Sequence, residues 1–326
     1  MRKVLHVGPF DTPGGMATVM QTLAATPTEG WATDVLSSHA SGGPLAKWKA
    51  YRRARGELRR RCLDASLRPD VVHVHAASDW SLRRKMRLLR FVHRFNVAAV
   101  LHLHSGHLAK WLGSPDGVRA KRHRRAVAEL GLTQVVLSEA WQRELAPMIG
   151  PAHAVANPVS PAYVPATGER DENHVLVLGR NDPVKGHAFA EEVVARLVVD
   201  RPKLRLTLTG KERSSRPFVD ALGWVSEAEK MALLQRATVL LVPSSVEGQP
   251  LVILEALASG LPVVVGEHLH SLPTGVVRAG PTVEDWAKAV EEVLNGNLPS
   301  EVDVEPHRAF AVAKRWGELY DSLLKD

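Results

Sequence analysis

The chain has 326 residues, 45% hydrophobic and 24% charged, a balance that suits a soluble globular protein of two domains. No apolar run approaches the ~20 residues needed to cross a bilayer, and the single cysteine, Cys62, excludes an intramolecular disulfide and fits a reducing cytoplasm. The formal net charge of +7 is unevenly placed: residues 1–166 hold 24 Lys/Arg against 11 Asp/Glu, and the remainder holds 18 against 24. A basic first half points to an anionic partner there.

The opening residues, Met1 to Gly8, read as a strand and not as a signal peptide. Short runs rich in Val, Leu and Ala at 3–8, 71–75, 98–104, 134–138 and 152–156 predict strands buried on both faces. Helices are predicted between them at 17–25, 45–67, 81–94 and 120–130. Residues 157–173 carry Pro158, Pro161, Pro165 and Gly168 without periodicity and read as a linker. A second series follows, with strands predicted at 174–179, 204–210, 219–225, 238–242 and 262–266. Its helices are predicted at 187–200, 227–236, 251–259 and 283–295, and an amphipathic helix at 309–324 ends the chain. Alternating strands and helices predict an α/β fold of two Rossmann-like, doubly wound parallel sheets with a cleft between them. Ligands in such sheets bind beyond the carboxyl ends of the strands.

Four stretches carry chemistry. In Ser244-Ser245-Val246-Glu247-Gly248-Gln249-Pro250-Leu251, a buried strand ends in a polar loop and a helix begins near Pro250, which suits a first helical turn. Glu247 falls in the loop and Glu255 in the helix. Each carboxylate can accept two hydrogen bonds from a sugar diol, and the helix start can hold phosphate oxygens. In Gly179-Arg180-Asn181-Asp182-Pro183-Val184-Lys185-Gly186, Arg180 and Lys185 stand five apart after a strand, as a diphosphate site requires. Gly14 and Gly15 precede a helix and let backbone approach a ligand, but they do not form a dinucleotide fingerprint. Last, His102 and His104 share one strand face. No third ligand in the sequence completes a zinc set with them, so no metal is expected. His73 and His75 form a similar pair, with His73 read as core.

These motifs resemble glycosyltransferase family four. Glu247 and Glu255 match its E-x7-E motif, and residues 179–186 match its G-R-x-x-x-x-K-G phosphate site. The resemblance implies the GT-B fold and retaining transfer of a sugar, of the hexose type, from a nucleoside diphosphate. It implies that Glu255 holds the ribose and that Glu247 and His104 lie by the sugar, with His107 in reserve because Ser105 is inserted before Gly106. Arg180 and Lys185 would stabilise the leaving diphosphate. Gly14, Gly15, Gly179, Gly248, Gln249, Pro250 and Leu251 would approach the donor with backbone groups. It divides the chain into an acceptor domain at 1–166, a donor domain at 167–308 and a terminal helix at 309–326 that packs back towards the first domain. Where many members have a Gly-rich loop with a Pro-Glu pair, this chain reads Glu267-His268-Leu269-His270-Ser271. Rival readings are a sugar-nucleotide epimerase or hydrolase on the same fold, and a non-catalytic binding protein.

The stretch 47–61 holds eight Lys/Arg with Trp48, Tyr51 and Leu58 interleaved. Such a helix can lie on anionic lipid. The expected partners are therefore a nucleotide-sugar donor and a lipid-linked or glycan acceptor, with peripheral contact to the inner face of the cell membrane. Nucleic acid is not expected, since no nucleic-acid motif accompanies the charge.

Overall fold

In the computed structural model, which describes residues 1–325, Arg2–Gly8 forms strand β1, with Val4 to Gly8 buried. The chain then alternates through helix α1 (Gly15–Ala25), β2 (Trp31–Ser37), α2 (Pro44–Leu63), β3 (Val71–Ala76), α3 (Asp79–His93) and β4 (Ala98–Leu103). It continues through α4 (Leu108–Leu112), α5 (Val118–Glu129), β5 (Thr133–Val136), α6 (Glu139–Ile149) and β6 (His153–Ala154). The strands make one parallel sheet in the order β2-β1-β3-β4-β5-β6. The order reverses between β1 and β3, the topological switch point of the first unit. Its core is Leu, Val and Ala from both faces of the sheet, including Leu5, Val72, Leu89, Leu101 and Leu145.

The second unit comprises β7 (His174–Val177), α7 (His187–Leu197), β8 (Arg205–Leu208), β9 (Val219–Ala221), α8 (Glu227–Arg236) and β10 (Val239–Val242). It ends with α9 (Leu251–Ala258), β11 (Val263–Gly266), β12 (Val276–Ala279) and α10 (Val283–Leu294). Its parallel sheet runs β12-β11-β10-β7-β8-β9, with the switch point between β7 and β10. Side chains alternate as a pleated strand requires. Val175, Val177, Val239 and Leu241 meet Val193, Trp286 and Val290 on one face, whereas Leu176, Leu240 and Val242 meet Ile253, Leu254 and Leu257 on the other.

The last helix, α11 (Ala309–Ser322), belongs to the first unit, which comprises residues 1–158 and 306–325; the second unit is Val159–Glu305. The unit boundary thus falls at 158, eight residues before the expected 166, and the return falls at 306. Residue 326 lies outside the described residues. Trp316 and Tyr320 of α11 are fully buried. Trp316 packs on His73 at 4.3 Å between ring centroids, and the indole of Trp31 and the guanidinium of Arg2 donate to Asp321 at 3.0 and 2.6 Å.

Several expectations change. Strands β2 and β12 were not anticipated; each is the edge strand of its sheet, where one side is half-exposed and the apolar signal is weak. Helix α6 was also missed because Pro147 sits inside it, although Ser138 caps it by accepting from the Trp141 amide at 3.1 Å. Helix α2 stops at Leu63, four residues early. Its Leu58 is fully buried in the core and Tyr51 packs against that core. These two therefore serve the protein's own interior and are not free to enter lipid. Arg60 and Arg61 are paired with Glu57, and Arg61 also with Asp34. Trp48 remains exposed, with Arg52 over its ring.

Candidate functional site

The second unit gathers its charged residues at the carboxyl edge of its sheet, on the two strands that flank the switch point. After β7 the chain turns through Gly179 and Arg180. Asp182 then caps a short 3-10 turn, Pro183–Lys185, by accepting from the Val184 amide at 3.0 Å. Gly186 adopts φ +69, and a Cβ there would lie 2.4 Å from the carbonyl oxygen of Pro243. Only glycine lets this turn press against the end of β10. The Ser245 amide donates to the Val184 carbonyl at 2.9 Å, so the two loops are joined through backbone.

On that frame the Lys185 ammonium reaches Glu247 Oε1 at 2.6 Å. Two residues picked from separate motifs are thus in direct contact. Arg180, in the turn after β7, is exposed and makes no ion pair among the described residues. Gly248, Gln249 and Pro250 are buried, Leu251 is half-buried, and α9 starts at Leu251 as expected. Lys211, just past β8, pairs with Glu191 at 2.6 Å.

Glu255, expected to hold the ribose, is enclosed. It is 3% exposed, and Lys230 lies 3.0 Å from each of its carboxylate oxygens. Lys230 also pairs with Glu227 at 2.9 Å and stands over the Tyr163 ring. Burial pushes the Glu255 carboxyl up while Lys230 draws it back. Burial alone would lower the Lys230 ammonium, but Glu255 and Tyr163 outweigh it and hold it raised. Sequence reasoning missed Lys230; its only signal was a lysine at the fourth position of a capped helix. In the stretch that departs from the family, the His268 ring covers Gly266 and its Nε2 lies 3.1 Å from the Ser244 carbonyl.

In the first unit, Gly14 is the N-cap of α1 with φ +140, and no side chain caps that helix. A Cβ on Gly14 would meet nothing within 4 Å, so the loop is open there. The strand histidines form a connected set. His104 Nε2 lies 3.0 Å from His75 Nδ1, His75 Nε2 lies 2.9 Å from His6 Nδ1, and His6 Nε2 lies 3.5 Å from the Tyr320 hydroxyl. That hydroxyl lies 2.6 Å from His73 Nδ1, and His73 Nε2 lies 3.1 Å from His102 Nδ1. His102 Nε2 is buried without a partner. Burial lowers all five imidazoles, His6 and His104 to about 3, so they are neutral near pH 7. Contrary to expectation, a third histidine does meet His102 and His104. His75 brings a nitrogen within 4.8 Å of theirs, and His6, His73 and His75 form a second such group. Among the described residues no helix is long and apolar enough to cross a membrane.

Residues 172–296 match the family model of Glycosyl transferases group 1. The chain is 28% identical over 280 residues to a glycogen synthase of Mycobacterium tuberculosis, a match covering 77% of this chain and 66% of that protein. It is 28% identical over 179 residues to a D-inositol 3-phosphate glycosyltransferase of Mycobacterium avium, covering 47% and 41%. Among solved structures, sucrose-phosphate synthase from Thermosynechococcus elongatus superposes with a TM-score of 0.65 at 16% identity, over 99% of this chain and 95% of that one. The catalytic domain of Starch Synthase IV from Arabidopsis thaliana gives 0.66 at 12% identity, over the whole of both chains. At such identities the superpositions speak for the fold. The superpositions show the GT-B fold, and the family match falls within the second unit.

Proposed function

We propose that the chain is a retaining glycosyltransferase that takes its sugar from a nucleoside diphosphate. The observation that carries this reading is the Lys185–Glu247 contact at the switch point, with Arg180 exposed in the same loop as Lys185. The diphosphate binds Arg180 and Lys185, displacing Lys185 from Glu247, and the freed carboxylate accepts from hydroxyls of the transferred sugar. Glu255, braced by Lys230, holds the nucleoside. Gly179 and residues 248–251 offer backbone groups to the donor, and Gly14 and Gly15 do so from the first unit. His104 serves a sugar hydroxyl there.

As the bond from the anomeric carbon to the diphosphate breaks, negative charge grows on the leaving oxygen. The two cations stabilise it more in the transition state than before it. The acceptor oxygen bonds to the anomeric carbon on the same face, and its proton passes to the leaving diphosphate. Side-chain cations neutralise the diphosphate, so the reaction needs no metal and survives EDTA; loss of activity with EDTA and rescue by magnesium would overturn that part. The acceptor is a glycan or lipid-linked sugar held by the first unit.

The test is a thermal-shift panel of the full chain with UDP, ADP, GDP and their sugars. A true donor raises stability by ~2.7 kcal/mol at a hundredfold excess over Kd. No shift with any nucleotide rejects the reading. Release of free nucleoside diphosphate without acceptor would favour a hydrolase over a transferase.

A further inference from the structure

A second charged site lies wholly in the first unit. Helix α3 follows the carboxyl end of β3, and α4 follows that of β4. Between these helix starts is an open groove of about 530 Å³, lined by Asp79, Trp80, Arg83, His107, Lys110, Trp111 and Arg119. It therefore sits at the sheet edge that ends in His75 and His104, the region where such sheets take their ligands.

The groove is built and not merely basic. The Arg83 guanidinium stacks 4.9 Å from the Trp80 ring centre and 5.9 Å from that of Trp111. Arg119 stands 5.7 Å from the same Trp111 ring and donates to the Trp111 carbonyl at 2.8 Å, which fixes both. Trp80 is 66% exposed, an arrangement that costs hydration unless a ligand covers the indole. Arg83, Lys110 and Arg119 face the groove as three cations, and none has a carboxylate within ion-pair distance among the described residues. Asp79 is the one acid in the lining. Elsewhere in the same unit arginines do find acids, as Arg60 and Arg61 find Glu57. Flat apolar rings beside unneutralised forked donors suit a ligand with an apolar ring face and an anionic group.

We infer that this groove binds an anionic carbohydrate, a sugar carrying phosphate or carboxylate, as the acceptor of the transfer. The inference rests on the glycosyltransferase reading above, since that reaction requires an acceptor hydroxyl. The sugar ring lies on the exposed Trp80 indole, and Arg83, Lys110 and Arg119 hold the anion.

Calorimetry on the full chain tests it, with glucose 6-phosphate, glucuronate and glucose as probes and UDP, ADP and GDP in parallel. One of the two anionic sugars is expected to bind roughly tenfold or more tightly than glucose, with affinity falling as salt rises. Which of the two binds better distinguishes phosphate from carboxylate. Arg83→Gln and Arg119→Gln should each weaken that sugar roughly tenfold, and Trp80→Ala should weaken it too, with nucleotide affinity unchanged within about twofold. If nucleotide binds and both anionic sugars match glucose, or the variants leave sugar affinity intact, this inference fails alone. If no nucleotide binds, the donor reading has failed. If Arg83→Gln abolishes nucleotide binding instead, the groove is a nucleotide site and the acceptor assignment is overturned.

Discussion

The Tyr320 hydroxyl, carried by the last helix, lies 2.6 Å from His73 Nδ1 on the third strand and joins a histidine pair to a histidine triplet in one chain. The chain runs His102, His73, Tyr320, His6, His75, His104. A neutral imidazole has one N–H and one lone pair, so each ring that donates on one side accepts on the other. The six groups must then point the same way. If His104 donates inward, a buried N–H is left at His102 Nε2 with no acceptor, which costs more than a bare lone pair. All five rings should therefore carry the proton on Nδ1, the tautomer free histidine disfavours in water. His104 then presents Nδ1–H to ligands. Ring nitrogen NMR of ¹⁵N-histidine-labelled protein checks this. His75→Phe should release His104 to the Nε2–H form. Mixed tautomers in the wild type, or zinc bound by His75, His102 and His104, would sink the assignment.

The same burial makes the first unit acid-sensitive. His6, His73, His75 and His102 are held neutral well below the ordinary imidazole value near 6.5. Their contribution is present above pH 6.5 and is lost as pH falls below it, because the unfolded chain takes up protons the folded one refuses. Four such rings give a slope approaching ~5 kcal/mol per pH unit, so acid unfolding should be steep and centred at about pH 4–5. Circular dichroism against pH reads it out. A shallow transition confined below pH 3 would contradict the buried neutral state.

Arg180→Ala and Lys185→Ala should each lower kcat/KM by roughly 10²-fold or more, since each removes a charge aimed at the leaving group. Lys185→Ala also strands Glu247 without its cation. Steady-state kinetics with folding checked in parallel decides it; near wild-type turnover in both variants removes these residues from the phosphate site.

Lys85 is buried beside Ser38 with no carboxylate partner among the described residues, and burial, aided by Arg84, lowers its ammonium to about 7. Its cost to stability is full below pH 7 and fades as pH rises towards 10.5. Lys85→Met should therefore stabilise the protein at neutral pH by up to ~4 kcal/mol, with little gain at pH 10. Chemical denaturation at both values tests this; equal gains at both would refute the titration.

Much of the architecture was legible because central strands advertise themselves. Runs such as Val239–Val242 are apolar throughout, and helix Glu227–Arg236 starts at Ser226 with a capping box that the sequence displays. The edge strands Trp31–Ser37 and Val276–Ala279 were hidden because solvent on one side removes the apolar requirement. Of the candidate site, Arg180, Lys185 and Glu247 were readable from spacing, since strand ends in a parallel sheet must converge. Lys230 and the histidine chain were not. Their partners come from elements 25 to 314 positions apart in sequence, and no local period encodes such a meeting.

The return of the last helix has a consequence for biosynthesis. The second unit is one uninterrupted stretch, Val159–Glu305, and can fold as soon as it leaves the ribosome. The first unit is made first but waits for Trp316 and Tyr320, which come near the end of the chain. Until then the faces that receive them, at Trp31 and His73, stay uncovered. A chain truncated after residue 305 should therefore present a finished later half and an unfinished earlier one, with the exposed apolar surface that chaperones hold.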